Sequence, residues 1–222
     1  MSLASYRARV LSQGKNIAES TAYDTKRIQY DLILNSATRS DVTVNMNNSI
    51  SYPCIVSDTK TFQVRRFLFL PDTEVYMGDY ICHQGFIYLV LDQTTDDKFP
   101  QCFAQVCNYD YPIKTITNKV QIGQQANGAP IYKTETTTIT TPSVLTENNY
   151  TVIDDNAIPL PDSNAKIYLP YKPDEIPFER NKVLRDRDSQ YRILDPIYTK
   201  VFKFCGVERG CLELKLDRVQ HT

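Results

Sequence analysis

The sequence predicts a mainly β protein: a small antiparallel β-barrel or sandwich core with a short N-terminal helical arm and a long inserted β-hairpin or loop. Three observations predict it. The 222 residues include 15 Tyr, 9 Phe and 12 Pro but only 7 Gly, a composition that favours strands and turns over helices. From residue 40 onward, apolar residues recur with the period of two that is typical of strands. Short polar segments interrupt that alternation at close intervals, as in meandering antiparallel sheets.

The pattern divides the chain into three kinds of region. Residues 1–40 form an arm with a short helix. Residues 41–113 and 161–222 form the barrel or sandwich core, as one or two small barrels. Residues 114–160 are a polar, Thr-rich insertion.

The arm contains one candidate helix, Ala22–Leu34. Ile28 and Leu32 recur there at helical spacing, and Ser20 or Thr21 provides an N-cap. The apolar residues at its end could equally open a strand, so both readings stay open.

The first strands follow from alternation and turn residues. Pro53 lies within the second of them, which predicts an edge strand because proline cannot donate to a ladder. The predicted strands of this part are Asp41–Asn45, Ser51–Val56 and Thr61–Leu70.

The clearest pattern in the chain is a β-meander between residues 75 and 108. Val75–Ile81 leads into a turn at residues 83–85, Phe86–Leu91 follows as a strand, and Phe99–Asn108 is the next strand.

The insertion at 114–160 carries a hairpin signal. Asn127-Gly128 is a strong two-residue turn, and Val120–Ile122 and Ile131–Lys133 flank it. A long exposed hairpin is predicted, and the alternative is an extended surface loop.

The last 60 residues return to a globular pattern. A charged turn is predicted within Lys182–Asp188, and Pro196 is expected to break a strand. The predicted strands are Lys166–Leu169, Gln190–Leu194, Tyr198–Phe204 and Cys211–Leu216.

Charge and hydropathy exclude several classes. The formal net charge is −1, whereas proteins held to nucleic acid by bulk electrostatics are normally basic. No apolar run approaches the roughly 20 residues of a membrane-spanning helix, and residues 1–16 have no apolar core like that of a signal peptide. We therefore expect a protein made in a cytoplasm, with no membrane association.

The six cysteines are expected to be reduced and packed as small hydrophobic residues. None forms the C-x-x-C pair that is usual in structural zinc sites, although a metal site is a minor alternative. His221 is next to the last residue. His83 is the other histidine, and we expect it to be an exposed turn residue.

No motif for a known reaction is present, so we expect no enzyme, no cofactor and no metal. A glycosidase carboxylate pair stays open because sequence alone cannot pair distant residues. The acidic clusters at residues 92–97 and 154–155 are read as turn carboxylates, since neither has the ligand ladder of a calcium loop.

A protein-contact role is the better prediction, because Tyr is enriched at interfaces. The run of alternating charge at 185–188 could form ion pairs between subunits, and a self-neutralising surface turn is the alternative. The candidate subunit or partner contacts are Tyr6, Arg7, Arg9, Tyr132, Lys133, Arg185 and Arg187.

Four stretches taken together resemble virion proteins of tailed bacteriophages that infect Gram-positive bacteria. They are residues 75–90, with their "GD-I" and "YLV" segments; residues 103–109, with "CN"; residues 181–186; and residues 210–216. Their order is similar to that of head–tail connector proteins of the head-closure or stopper type. Tyr88 stands where such strands often carry Trp.

The resemblance implies a homo-oligomeric ring in the neck of the virion, between a portal or adaptor protein and the tail proteins. Genomic DNA would pass through the ring without sequence-specific binding. The family has no catalytic residues to carry over. Another tail or baseplate component, or a β-barrel that binds single-stranded nucleic acid, is the alternative.

Overall fold

The computed structural model describes residues 17–61, 63–94, 100–124, 129–147, 165–172, 174–176, 178–187, 189–204 and 206–219. The predicted fold class is confirmed: the described residues form one helix, a closed antiparallel β-barrel and a second antiparallel sheet. The chain divides into two compact units. The first is Met1–Val106 with Lys200–Cys211, and the second is Cys107–Thr199 with Leu212–Thr222.

The elements follow each other in a simple order. The helix α1 spans Ile17–Leu34. The first six strands are β1 (Arg39–Val44), β2 (Ser51–Asp58), β3 (Val64–Phe69), β4 (Tyr80–His83), β5 (Phe86–Thr94) and β6 (Gln101–Val106). The next six are β7 (Tyr109–Gln124), β8 (Pro130–Glu147), β9 (Ala165–Pro170), β10 (Val183–Asp186), β11 (Ser189–Phe204) and β12 (Val207–Arg218). Among these described residues no helix is long and apolar enough to cross a membrane.

The first six strands close into a barrel in the order β1-β2-β3-β6-β5-β4. The last gap is closed by antiparallel pairing of β1 with β4, where Val44 lies opposite Ile81. Closure removes the unpaired strand edges that an open sheet would leave.

Alternation along each strand places every second side chain in the barrel interior. Phe67, Phe69 and Tyr88 are the large residues of this core, and the Phe67 and Tyr88 rings meet edge to face at 5.5 Å. The smaller members are Val42, Cys54, Ile81, Val90, Cys102 and Ala104.

The prediction that β2 is an edge strand is wrong, because β2 lies between β1 and β3. Pro53 is tolerated for a local reason. Pairing with β3 begins at Cys54, so Pro53 has a strand neighbour only on the β1 side, opposite Asp41. Its missing N–H therefore interrupts no pairing with β3.

The predicted strand Val75–Ile81 is shorter than expected, since β4 starts at Tyr80. Gly78 has a φ of +89° and ends the extended backbone there. Asp79 holds the bend, because its Oδ2 accepts the Tyr76 N–H at 2.8 Å. The "GD" pair is thus a turn that feeds β4.

Gly78 also permits a close backbone approach. A Cβ at this position would lie 2.1 Å from the Gly210 carbonyl oxygen, and a Cβ on Gly210 would lie 2.0 Å from the Lys200 carbonyl oxygen. The Cys211 thiol also donates a hydrogen bond from its Sγ to the Val90 carbonyl oxygen at 3.4 Å. Residues 200–211, the tip of the β11–β12 hairpin, therefore pack within the first unit.

The other sheet has the order β10-β11-β12-β9-β8-β7. One face is covered by an apolar cluster whose largest members are Tyr111 and Tyr191. Asn108 joins two strand ends, because its Oδ1 accepts the Leu145 N–H at 2.7 Å and its Nδ2 donates to the Leu145 carbonyl at 2.9 Å.

The long inserted hairpin is confirmed: β7 and β8 pair in antiparallel register from Tyr109↔Ser143 to Gln124↔Pro130. The predicted turn Asn127-Gly128 lies outside the described residues. The expected break at Pro196 is wrong, since β11 runs through it. Pairing with β10 ends at Arg192, so Pro196 interrupts no ladder on that side.

Candidate interaction surfaces

The outer part of the β7–β8 hairpin, residues 114–124 and 130–140, is called the ribbon here. All of its side chains are exposed except the half-buried Ile116, and β7 is the last strand of its sheet. β8 pairs with β9 only at residues 144–147. Both faces and both edges of the ribbon are therefore uncovered among the described residues, and an isolated two-stranded hairpin is marginal in water.

The register gives the ribbon two unlike faces. One face, the Ile/Val face, carries Ile116, Val120 and Ile139 together with an ion pair between Lys133 and Glu135 at 3.5 Å. The opposite face, the Thr face, is polar. It consists of Thr115, Thr117, Lys119, Gln121, Tyr132, Thr134, Thr136 and Thr138.

Tyr132 and Lys119 are the two largest side chains of the Thr face. Tyr132 lies opposite Gln121 and Lys119 opposite Thr134, so the two are diagonal neighbours on adjacent strands. Tyr132 is 57% exposed. No carboxylate of the described residues forms an ion pair with Lys119.

A second uncovered surface lies on α1. The predicted apolar face of this helix, Ile28 and Leu32, points to solvent with 62% and 56% exposure. Gln29 and Ile33 are buried instead. The helix is fixed by a 2.6 Å ion pair between Lys26 and Asp72.

Between α1 and β3 lies an apolar cavity of about 170 Å³, called the helix groove. Its lining residues are Thr25, Ile28, Gln29, Leu32, Ile33, Leu68 and Phe69. Gln29 is only 6% exposed, yet neither its Nε2 nor its Oε1 has a hydrogen-bond partner among the described residues. A buried amide without partners costs free energy, and such groups in native structures require an explanation.

A second cavity lies beside the β4–β5 turn, with a volume of about 420 Å³. Phe86 is exposed at this cavity. Arg65 pairs with Asp58 at 3.2 Å, and its guanidinium lies 5.8 Å from the centre of the buried Tyr88 ring. The cavity thus combines one exposed aromatic ring with a cation that already has an anionic partner.

The prediction that His83 is an exposed turn histidine is wrong. The turn consists of Gln84 and Gly85, both with positive φ, and His83 ends β4 with 5% exposure. Its ring lies edge to face with Phe67 at 6.1 Å. Burial, and secondarily the charge of Arg65, lowers the pKa of His83, so the buried imidazole is neutral near pH 7.

The described cysteines form no disulfide with one another, as predicted; Cys205 lies outside the described residues. Cys54, Cys102 and Cys211 are buried. Burial raises the pKa of the Cys54 thiol to about 12, with a smaller effect from Asp41, and raises that of Cys102 further. Thiols of this kind are protonated at neutral pH and are poor nucleophiles. No group of three or more His, Cys, Asp or Glu that could hold a metal occurs in the described part of the chain.

The predicted contact residues fall in three places. Tyr6, Arg7 and Arg9 lie outside the described residues. Tyr132 and Lys133 are exposed on opposite faces of the ribbon. Arg185 and Arg187 are exposed at the end of β10 and in the following turn, where Arg187 has a φ of +49°. Of the acidic clusters, Asp96, Asp97, Asp154 and Asp155 also lie outside the described part.

Sequence reasoning missed Gln29 as a residue of interest. The available signal was its position one residue after Ile28 and four before Ile33, between the two apolar positions of the helix. That position does not predict burial of Gln29, because the sequence does not show which face of the helix packs against the barrel.

The comparisons with known proteins add little. No protein-family model matches the chain, and no curated protein sequence matches it. One solved structure with some likeness is described as "MrkH, A novel c-di-GMP dependence transcription regulatory factor". The likeness covers 89% of this chain and 83% of that chain at 10% identity, with a TM-score of 0.22, values that support no inference about fold or function.

Proposed function

We propose that this chain is a structural protein of a tailed-bacteriophage virion, forming a homo-oligomeric ring at the head–tail junction. The ring would lie between the portal or adaptor protein and the tail, close the filled head and conduct DNA. The observation that carries the proposal is the ribbon, because a two-stranded element with uncovered faces and edges requires a partner surface. The resemblance of the "GD-I", "YLV" and "CN" segments to connector proteins supplies the class of assembly.

The charge of the chain supports a conduit. A strongly basic lumen would hold DNA phosphates through counterion release and oppose DNA movement. The formal net charge of −1 avoids that. DNA is therefore expected to pass without a sequence-specific contact.

The proposal is tested by negative-stain electron microscopy and sedimentation of the purified full chain, alone and with the portal protein of the same genome. Rings, free or stacked on the portal, are the expected result. A chain that forms no ring in either sample contradicts the proposal. Mass spectrometry of separated phage heads and tails then distinguishes a neck protein from another tail component.

A shortened hairpin provides the matched variant. Thr115 and Thr138 lie opposite each other, so a two-residue Asn-Gly turn can replace residues 116–137 without changing the register below it. The buried residues Tyr111 and Leu145 are untouched, so the variant should fold. We expect loss of ring formation with unchanged unfolding of the monomer. If the full chain and the shortened variant formed rings in equal yield, the ribbon would not be part of the assembly contact.

The second candidate function is binding of single-stranded nucleic acid, which the cavity beside the β4–β5 turn favours. Phe86 offers an exposed ring for base stacking, worth about 1–3 kcal/mol per base. Fluorescence anisotropy with labelled oligonucleotides at 50 and 200 mM salt tests it. Binding that weakens with salt and is lost in Phe86→Ala would favour this candidate over the ring.

A further inference from the structure

A ring joins each copy to the next through two different surfaces, because cyclic assembly uses heterologous contacts. Two of the surfaces described above, the ribbon and the helix groove, are unlike and complementary in shape. We propose that Tyr132 of one copy inserts into the helix groove of the neighbouring copy. This inference rests on the proposed ring and names its contact.

The shape and polarity of the groove fit a tyrosine side chain. A cavity of about 150 Å³ lined by aliphatic and aromatic groups accepts a benzene ring, and the helix groove has about 170 Å³. Ile28 and Leu32 at its rim are exposed and would be covered by the incoming ring. Tyrosine combines an apolar body with a polar tip.

The hydroxyl of that tyrosine would pair with the Gln29 amide, which has to turn toward the groove because neither its Nε2 nor its Oε1 is exposed to solvent in the single chain. The Gln29 amide offers one acceptor oxygen and two N–H donors, and none has a partner among the described residues. A phenol hydroxyl both donates and accepts. A phenylalanine or leucine in the same cavity would leave the amide unpaired, so the groove selects an apolar side chain that ends in a hydroxyl.

The charges around the two surfaces are complementary. Asp24 and Asp31, four residues before and three after Ile28, lie beside it on the helix surface and form no ion pair among the described residues. Arg27 lies between them in the sequence, so these three residues of α1 together carry one net negative charge. Lys119, the diagonal neighbour of Tyr132, is the one charged residue of the Thr face as defined above.

Cross-linking tests the contact directly. A full-length Tyr132→Cys variant is mixed with a full-length Leu32→Cys variant and treated with a short bis-maleimide. Ile139→Cys, exposed on the Ile/Val face, replaces Tyr132→Cys in the matched control, and wild-type protein gives the background from native cysteines. We expect an intermolecular 132–32 product well above both controls.

A double-mutant cycle tests the hydrogen bond. Tyr132→Phe keeps the ring and removes the hydroxyl, and should weaken self-association about three- to tenfold. Tyr132→Ala should weaken it about a hundredfold or more. In the Gln29→Leu background, Tyr132→Phe should cause no further loss. Additive losses would show that the two side chains do not meet.

The outcomes separate this inference from the proposed function. Rings without the 132–32 product overturn the groove assignment and leave the ring standing. A full-length chain carrying both Tyr132→Cys and Leu32→Cys is a further control, and a 132–32 product that forms within this chain but not between the two single variants also overturns the groove assignment. A chain that forms neither rings nor the cross-link contradicts both.

Discussion

The substitution Gly78→Ala should destabilise the first unit by about 3 kcal/mol. Two terms contribute. A side chain at a φ of +89° costs roughly 1–2 kcal/mol. The new methyl group would also lie 2.1 Å from the Gly210 carbonyl oxygen, and overpacking of this kind costs typically 1–3 kcal/mol.

Gly85→Ala isolates the conformational cost of a side chain at positive φ. Gly85 has a similar φ of +81°, but nothing lies within 4 Å of the position of its Cβ. It should therefore lose only the conformational term, about 1–2 kcal/mol. The difference between the two variants measures the close approach of Gly78 to Gly210.

Urea unfolding followed by tyrosine circular dichroism provides the assay. With an m-value of about 2 kcal/mol/M, a difference of about 2 kcal/mol separates the two midpoints by about 1 M. Equal urea midpoints for Gly78→Ala and Gly85→Ala would refute the reasoning, because they would show that the Gly210 carbonyl does not limit the space at residue 78.

Three further predictions concern buried groups. The folded pKa of His83 lies below its ordinary value of 6.5, so the unfolded state binds the proton first as the pH falls. The free energy of unfolding should therefore decrease below about pH 6.5, by at most ~1.4 kcal/mol per pH unit. His83→Gln should remove that slope in urea titrations between pH 6.5 and 5.5. Lys166 donates to the buried Glu213 at 2.8 Å, so Lys166→Met should cost about 2–3 kcal/mol by urea unfolding, and adding Glu213→Leu should restore most of it. Cys54 and Cys102 should resist a thiol reagent in the native protein and react only in urea; rapid native reaction of either, with the labelled residue identified by peptide mapping, would contradict their burial.

Local patterns in the sequence were sufficient for much of the fold. The helix end at Leu34, the β4–β5 hairpin and the exposed β7–β8 hairpin all depend on periodicity and turn residues within a few positions. The two proline predictions failed because Pro53 does not by itself mark an edge strand and Pro196 does not by itself end a strand. The actual cost of a proline depends on whether a neighbouring strand lies on the N–H side, which is a non-local fact.

The interaction surfaces were less predictable. Tyr132 and Lys133 could be chosen from their place beside a polar hairpin, but the assignment of each to its own face required the register. Ile28 and Leu32 have the spacing of a core face, and only the packing of α1 shows that they are exposed. The sequence shows that Gln29 lies between two apolar helix positions, but the absence of a hydrogen-bond partner for its amide among the described residues is a property of three-dimensional contacts.

The tip of the β11–β12 hairpin has a consequence for the order in which the chain folds during synthesis. Residues 200–211 belong to the same compact unit as residues 1–106, and Gly210 seats directly against Gly78. The ribosome must add roughly 100 residues after Val106 before Gly210 can pack against Gly78. At 5–20 residues per second this takes about 5–20 s. Throughout that interval Gly78 and the Val90 carbonyl oxygen lack their contacts with Gly210 and Cys211, and most of the second unit is synthesised while the first is still incomplete.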